Sequence, residues 1–313
     1  MLEPRRLAAQ TIARRMASLL EEQVGDTVGY KIRFDNKISR QTKIEVVTEG
    51  ILTRIIQSDN SLSGISTIIF DEFHERSMHS DLALALIREA QQILRPDLRI
   101  IIMSATLDLQ GLSELLQAPI IQCSGRQHPV DILYTGENDI RLLPELTART
   151  VIKAIHKKTG DLLVFLPGES EIRKCEAILN SERHDFEVHP LYGMLPWRKQ
   201  QAAIFPDPHG KRKIILATSI AETSLTIEGV RVVVDCGYVR VSRFDPRTGL
   251  SRLETVPVSK DSADQRAGRA GRLGPGTCYR MWTRPAHSQL ADHHTPEIQE
   301  ADLADLALDS TIS

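Results

Sequence analysis

Short apolar runs recur along the chain and alternate with stretches of helical periodicity. The runs are "IEVVT" (44–48), "TIIF" (67–70), "RIIIM" (99–103), "DLLVFL" (161–166), "KIILA" (213–217) and "RVVVD" (231–235). Each is continuously hydrophobic rather than alternating, which suits strands covered on both faces and therefore a parallel sheet. Between them, 7–22, 81–94 and 169–179 carry apolar residues at helical spacing, with Asp81 expected as an N-cap and Arg95-Pro96 as a stop. Strand, helix, strand in succession is the grammar of an α/β fold.

Two stretches break that rhythm. "SGRQHPVDILYTGENDIRLLPEL" (124–146) is rich in Gly, Pro and polar residues and reads as a boundary between two α/β lobes. Residues 237–258 place two alternating segments around Asp245-Pro246-Arg247-Thr248-Gly249, the pattern of a β-hairpin in the second lobe. The expected organisation is a first domain over 1–125, a second over 126–285, and in 286–313 the start of a helical module that the chain does not complete.

With 313 residues, 41% of them hydrophobic and 26% charged, the chain can bury two cores, so disorder is not expected. The formal net charge of −2 supplies no global basic field, so any polyanion site must be local. Four cysteines lie far apart with no C-x-x-C pair, which argues against a disulfide framework or zinc site and suits a reducing cytoplasm. No signal-like or membrane-spanning apolar stretch occurs, so no membrane partner is expected.

Candidate chemistry clusters at strand ends, where α/β sheets gather ligands. Asp71 and Glu72 follow the 67–70 run directly. Adjacent carboxylates there can divide labour, one holding a magnesium ion through its waters and the other orienting or deprotonating a water. Taken alone, the dipeptide better suits the opening of a helix, where carboxylates complement the dipole. Ser104-Ala105-Thr106, after the next run, reads as a hydrogen-bonding link to a neighbouring surface or as a helix cap. "QRAGRAGR" (265–272) is more specific: Arg269 and Arg272 lie three apart with little bulk around them, as guanidinium groups converging on a phosphate require. A solvated basic helix accounts for the arginines but not the glycines. "ATSIAETSLTI" (217–227) offers hydroxyls for phosphate oxygens or for a cap, and Arg5, Arg6, Arg14 and Arg15 form either a solvated basic face or phosphate contacts.

Taken in order, these stretches resemble the superfamily 2 helicases of the DEAH-box branch. "LEPRRLAA" is similar to motif Ia, "TEGIL" (48–52) to motif Ib, "DEFH" (71–74) to motif II and "SAT" (104–106) to motif III. "LLVFLPG" (162–168) resembles motif IV, "ATSIAETSLTI" motif V and "QRAGRAGR" motif VI, so the resemblance spans residues 2 to 272. "DEFHERS", "RFDPRTGLSRL" and "QRAGRAGRLGPGTC" are similar to the bacterial HrpB-type ATP-dependent helicases.

The resemblance implies two RecA-like parallel-sheet lobes and a 3′-to-5′ helicase that uses ATP and Mg²⁺ and acts on single-stranded RNA or DNA. Asp71 would hold the metal through water and Glu72 would act on the hydrolytic water. His74, Ser104 and Thr106 would couple hydrolysis to lobe movement, and Gln265, Arg269 and Arg272 would serve the γ-phosphate. Arg15 and Phe205 would sandwich the adenine, with Glu228 also at the nucleotide. Arg6, Thr48, Thr218, Ser219 and Thr223 would touch the nucleic-acid backbone, and the hairpin would stand where a duplex is parted. No protein partner is implied.

The chain departs from the family pattern at Ser219, where the family has Asn, and at Glu228, where many relatives have Asp. The larger departure is that no G-x-x-x-x-G-K-[ST] loop occurs anywhere in the 313 residues. Without it the backbone amides, lysine and hydroxyl that cradle the phosphates and metal are missing. The expectation is a first lobe incomplete at its N-terminus and feeble ATP hydrolysis by this polypeptide. A non-catalytic nucleic-acid-binding protein is the competing reading.

Overall fold

The computed structural model describes residues 1–105, 109–123, 125, 128–181, 186–222 and 227–304. They divide into two compact units. The first holds Met1–Ile120, Arg243–Ser251 and the segment from Thr295 onward, and the second holds Ile121–Ser242 and Arg252–His294.

The first unit runs β1 (Leu2–Glu3), α1 (Arg6–Leu19), β2 (Val28–Ile32), β3 (Asp35–Lys37), β4 (Ile44–Thr48), α2 (Glu49–Ser58), β5 (Thr67–Phe70), α3 (Met78–Ile93), β6 (Arg99–Ile102) and α4 (Leu109–Leu116). Its sheet has the order β3-β2-β4-β1-β5-β6. Neighbours on β4 face opposite ways: Val46 packs with Ala9, Ala13 and Ala17 of α1, whereas Val47 packs with Leu52 and Ile56 of α2 and Leu84 and Ile87 of α3. Both faces of β4 are therefore covered, which is why 44–48 does not alternate strictly, whereas on β5 only Ile68 and Phe70 are buried in the core.

Two expectations are corrected here. The sheet is mixed rather than wholly parallel, because β3 pairs antiparallel with β2. Only Arg33 and Phe34 separate Ile32 from its partner Asp35, and so short a link cannot make a parallel crossover. Asp81 is not the cap of α3: the helix starts at Met78, and Ser77 Oγ accepts the Ser80 N–H at 3.1 Å. Asp81, one turn in, instead receives Arg76 Nε at 2.9 Å.

The second unit runs β7 (Val130–Tyr134), α5 (Leu143–Lys157), β8 (Asp161–Phe165), α6 (Glu169–Ser181), β9 (Phe186–Leu191), α7 (Trp197–Ile204), β10 (Arg212–Ala217), β11 (Val230–Asp235), β12 (Tyr238–Asp245), β13 (Leu250–Pro257), α8 (Lys260–Gly268), β14 (Gly276–Arg280) and α9 (Arg284–Ser288). Its six-stranded sheet, β7-β14-β11-β8-β10-β9, is parallel throughout. Val151, Ala154 and Ile172 of the covering helices pack on Leu162, Val164, Ile214 and Val232. The polar stretch 124–146 holds β7, which pairs with β14. β12 and β13 form the expected hairpin, and at its turn Gly249 adopts φ +67 with its N–H donating to Asp245 O at 2.9 Å. The hairpin tip groups with the first unit, where Arg243 Nη2 meets Glu300 Oε1 at 3.1 Å.

All four cysteines are free thiols. Among the described residues no helix is long and apolar enough to cross a membrane.

Candidate functional site

In the first unit Asp71 emerges from β5 between the ends of β1 and β6. Its N–H donates to Leu2 O at 3.1 Å, and Phe73 N–H donates to Met103 O at 3.1 Å. Asp71 Oδ1 accepts the Glu72 N–H at 2.8 Å. The loop that follows is bent through left-handed backbone at Glu72 (φ +50) and Arg76 (φ +47), on either side of a short turn at Phe73–Glu75. Two non-glycine residues in that region cost energy that the surroundings must offset. Phe73, buried in the core against Phe70, provides the anchor.

His74 sits beside Glu72 and reaches the end of β6. Its Nδ1 accepts the Ala105 N–H at 3.3 Å, and its Nε2 lies 3.4 Å from Glu72 Oε2. Ser104 Oγ is buried with no hydrogen-bond partner among the described residues. Thr106, the other expected coupling residue, lies outside the described residues.

Glu3 was not singled out by sequence, since it lies inside a basic stretch. It is fully buried at the end of β1, and both carboxyl oxygens are without a hydrogen-bond partner among the described residues. Burial first, and then the neighbouring Asp71 carboxylate, push its carboxyl up to about 9. Among the described residues no three or more His, Cys, Asp or Glu converge to enclose a metal. Magnesium, which keeps several of its own waters, needs only one or two carboxylates, a demand that Asp71 alone can meet; Glu3 behind it, pushed up to about 9, is neutral near pH 7 and adds no charge.

Arg6 is the exposed first residue of α1, Arg15 is exposed further along it, and Thr48 occupies the N-cap position of α2. Their sequence neighbours are bonded to the loop carrying Glu72: Arg5 Nη2 donates to Glu75 Oε2 at 3.2 Å, and the Ser77 hydroxyl donates to Glu49 Oε1. Burial pushes the Glu49 carboxyl up to about 7, against the hydrogen bond from Ser77. The turn between β2 and β3 adds a feature the sequence reading missed. Phe34 is 89% exposed, with the Arg33 guanidinium 4.8 Å from its ring centroid.

In the second unit motif VI is bolted to motif V. Arg266, 1% exposed, donates from Nη1 to Asp235 Oδ1 at 2.9 Å and from Nε to Glu222 Oε2 at 3.0 Å, with its guanidinium 4.9 Å from the Phe165 ring centroid. Burial alone would pull that guanidinium down, but the Asp235 and Glu222 carboxylates outweigh it and hold it charged. Arg269 Nε donates to Glu222 O at 2.8 Å. α8 stops at Gly268 and a 3-10 turn over Arg269–Gly271 continues it, a geometry in which residues three apart share a face; Arg269 is buried and Arg272 exposed. Gln265 is partly buried on α8.

The glycines of "QRAGRAGR" differ in purpose. A Cβ on Gly271 would lie 2.6 Å from His128 O and 2.7 Å from Val130 Cγ2, whereas one on Gly268 would meet nothing within 4 Å. Thr218 and Ser219 follow β10 directly and are partly buried, Glu228 is exposed in the turn before β11, and Thr223 lies outside the described residues. Phe205, 51% exposed, ends α7, where Lys213 Nζ donates to Ala203 O at 3.0 Å and to Phe205 O at 2.5 Å.

Residues 1–115 match the family described as DEAD/DEAH box helicase, and residues 145–274 match the helicase conserved C-terminal domain. The chain is 49% identical over 311 residues to the ATP-dependent RNA helicase HrpB of Escherichia coli (strain K12), covering 99% of this chain and 38% of that protein. It is 40% identical over 311 residues to the pre-mRNA-splicing factor ATP-dependent RNA helicase prp22 of Schizosaccharomyces pombe, covering 96% of this chain and 26% of that one. The crystal structure of Escherichia coli DEAH/RHA helicase HrpB superposes with a TM-score of 0.93 at 48% identity, over 99% of this chain and 40% of the other. That of the E. coli DExH-box NTPase HrpB gives 0.87 at 48% identity, over 100% and 39%. The chain thus spans well under half the length of these relatives.

Proposed function

The chain belongs to the DEAD/DEAH box helicases, in their HrpB-like DEAH branch, and on that premise we propose that it serves ATP-driven 3′-to-5′ unwinding of RNA. The observation that carries this reading is the loop after β5, where Asp71, Glu72 and His74 stand together and His74 is bonded to the end of β6. In this reading Glu72 takes a proton from the water that attacks the γ-phosphorus, and ADP departs as the bond to its β-phosphate oxygen breaks. A magnesium ion held through water at Asp71 would neutralise phosphate charge. Gln265 orients the water or γ-phosphate, while Arg269 and Arg272 stabilise the charge that develops on it.

His74 and Ser104, with Thr106, relay the change at Glu72 to the neighbouring strand end. Arg15 and Phe205 stack on the base of the nucleotide, and Glu228 contacts it. Single-stranded RNA is gripped through its backbone by Arg6, Thr48, Thr218, Ser219 and Thr223. Phe34, exposed and faced by Arg33, is suited to stack on an unpaired base. We assign the domains as helicase ATP-binding over 1–125, helicase C-terminal over 126–285 and a further module from 286.

A second reading is favoured by one observation: the 313 residues contain no G-x-x-x-x-G-K-[ST] loop. On that reading the 313-residue polypeptide binds RNA and hydrolyses little ATP by itself, because it carries no such loop to cradle the α and β phosphates. Titrating a labelled oligouridylate and measuring RNA-stimulated ATP hydrolysis on the same preparation separates the readings. Binding with hydrolysis that Glu72→Gln abolishes supports the first, and binding with no hydrolysis supports the second. No RNA binding contradicts both.

A further inference from the structure

The loop carrying Glu72 is tied at two points to residues that adjoin the first unit's expected RNA contacts. On one side Arg5, next to Arg6, donates to Glu75 Oε2 at 3.2 Å. On the other Glu49, next to Thr48, accepts the Ser77 hydroxyl, and Ser77 Oγ also caps α3 through the Ser80 N–H. Between the two ties Arg76 is left-handed, and its carbonyl accepts the Glu297 N–H at 3.1 Å while Glu297 Oε2 accepts the Met78 N–H at 3.0 Å. A loop strained at Glu72 and Arg76 and held at Glu75, Ser77 and Met78 has little slack to absorb a displacement of its anchors.

We propose that the Arg5–Glu75 and Glu49–Ser77 pairs join the RNA surface of the first unit to the loop bearing Glu72, making Glu49 and Glu75 positioning residues for RNA-stimulated hydrolysis. The proposal rests on reading Arg6 and Thr48 as backbone contacts. The physical lever is charge. A phosphodiester arriving at Arg6 and Thr48 brings negative charge beside Arg5 and beside Glu49, so it competes with Glu75 for the Arg5 guanidinium and repels the Glu49 carboxylate. Both effects act on the ties themselves, so bound and free RNA states favour different arrangements of the loop.

Hydrogen–deuterium exchange of this polypeptide with and without saturating oligouridylate tests the link without needing ATP hydrolysis. RNA is expected to change exchange of the Glu72–Met78 amides at least about fivefold. The change is lost in Glu49→Ala and reduced in Glu49→Gln, whose amide oxygen still accepts the Ser77 hydroxyl but carries no charge for the phosphodiester to repel. Glu75→Ala breaks the other tie and provides an independent reading should Glu49→Ala not fold. Exchange in β2 of the first unit and saturable RNA binding certify that each variant is folded. RNA that binds while the loop exchanges unchanged overturns the proposal and leaves the RNA reading intact. No RNA binding by the wild type overturns the reading of Arg6 and Thr48, and this proposal with it.

Discussion

Ala105, just past the end of β6, donates its backbone N–H to His74 Nδ1 at 3.3 Å, so the strand that ends in "SAT" is bonded to the loop that begins with Asp71. The bond needs an acceptor at Nδ1, which fixes the ring proton on Nε2, facing Glu72 Oε2 at 3.4 Å. Replacing His74 by Ala leaves the Ala105 N–H without that acceptor. Because the bond is solvent-exposed and water can replace the acceptor, we expect a loss of about 0.5 to 1 kcal/mol of unfolding free energy, read by urea titration. An unchanged midpoint would mean the bond contributes nothing.

Arg266 offers a larger effect. Its removal leaves Asp235, itself fully buried, as an uncompensated carboxylate beside Glu222. Arg266→Ala is expected to cost about 3 to 5 kcal/mol. Paired with Asp235→Asn it should cost less than the sum, since the stranded charge is then gone. Additive losses in that double-mutant cycle would show the two residues do not act as a pair.

The glycines of motif VI are expected to part company. Gly271→Ala drives a Cβ against His128 O and Val130, and should destabilise by about 1 to 3 kcal/mol. Gly268→Ala meets open space at the end of α8 and should be neutral or stabilising by up to about 1 kcal/mol. Thermal melts of the two variants give the comparison, and equal losses would contradict it.

Glu49 makes stability depend on pH. Its carboxyl ionises near 4.5 in the unfolded chain and at about 7 in the folded one. Between those values the folded state holds the extra proton, so stability is fullest below about 4.5 and falls as pH rises towards 7. The loss is on the order of 2 to 3 kcal/mol, and Glu49→Gln should remove most of that slope. Urea midpoints at pH 5, 6, 7 and 8, about one unit apart across this window, provide the check, and identical slopes in wild type and variant would contradict the assignment.

How much of this was legible in the sequence follows from covering and distance. β4, β8, β10 and β11 were readable because strands covered on both faces become runs of Val, Ile and Leu, and β5 because its four residues form a short apolar run although only Ile68 and Phe70 are buried. β2 was not, since "VGYKI" interleaves Gly and Lys, and β9 was hidden by Pro190, tolerated because β9 lies at the sheet edge. Asp71 and Glu72 could be nominated because they directly follow an apolar run. The Ser77 hydroxyl that meets Glu49 is 28 positions away, and nothing local in either segment marks the pair. Glu3 was overlooked because its burial follows from β1 lying between β4 and β5, a property of the sheet order and not of its neighbours. The spacing of Arg269 and Arg272 was legible, but not the change from α8 to a 3-10 turn at Arg269–Gly271 that buries the first and exposes the second.

We propose centrally that Glu72 activates the water in ATP hydrolysis; the 313 residues contain no G-x-x-x-x-G-K-[ST] loop to hold the triphosphate. RNA-stimulated ATP hydrolysis tests it most directly, measured on the 313-residue polypeptide, on its Glu72→Gln variant, and on a version preceded by a strand and a G-x-x-x-x-G-K-[ST] loop. The account predicts hydrolysis that appears with the added loop and disappears again when Glu72→Gln is introduced into that extended protein. Full turnover by the 313 residues alone, abolished by Glu72→Gln, would contradict it and show that the loop is dispensable here.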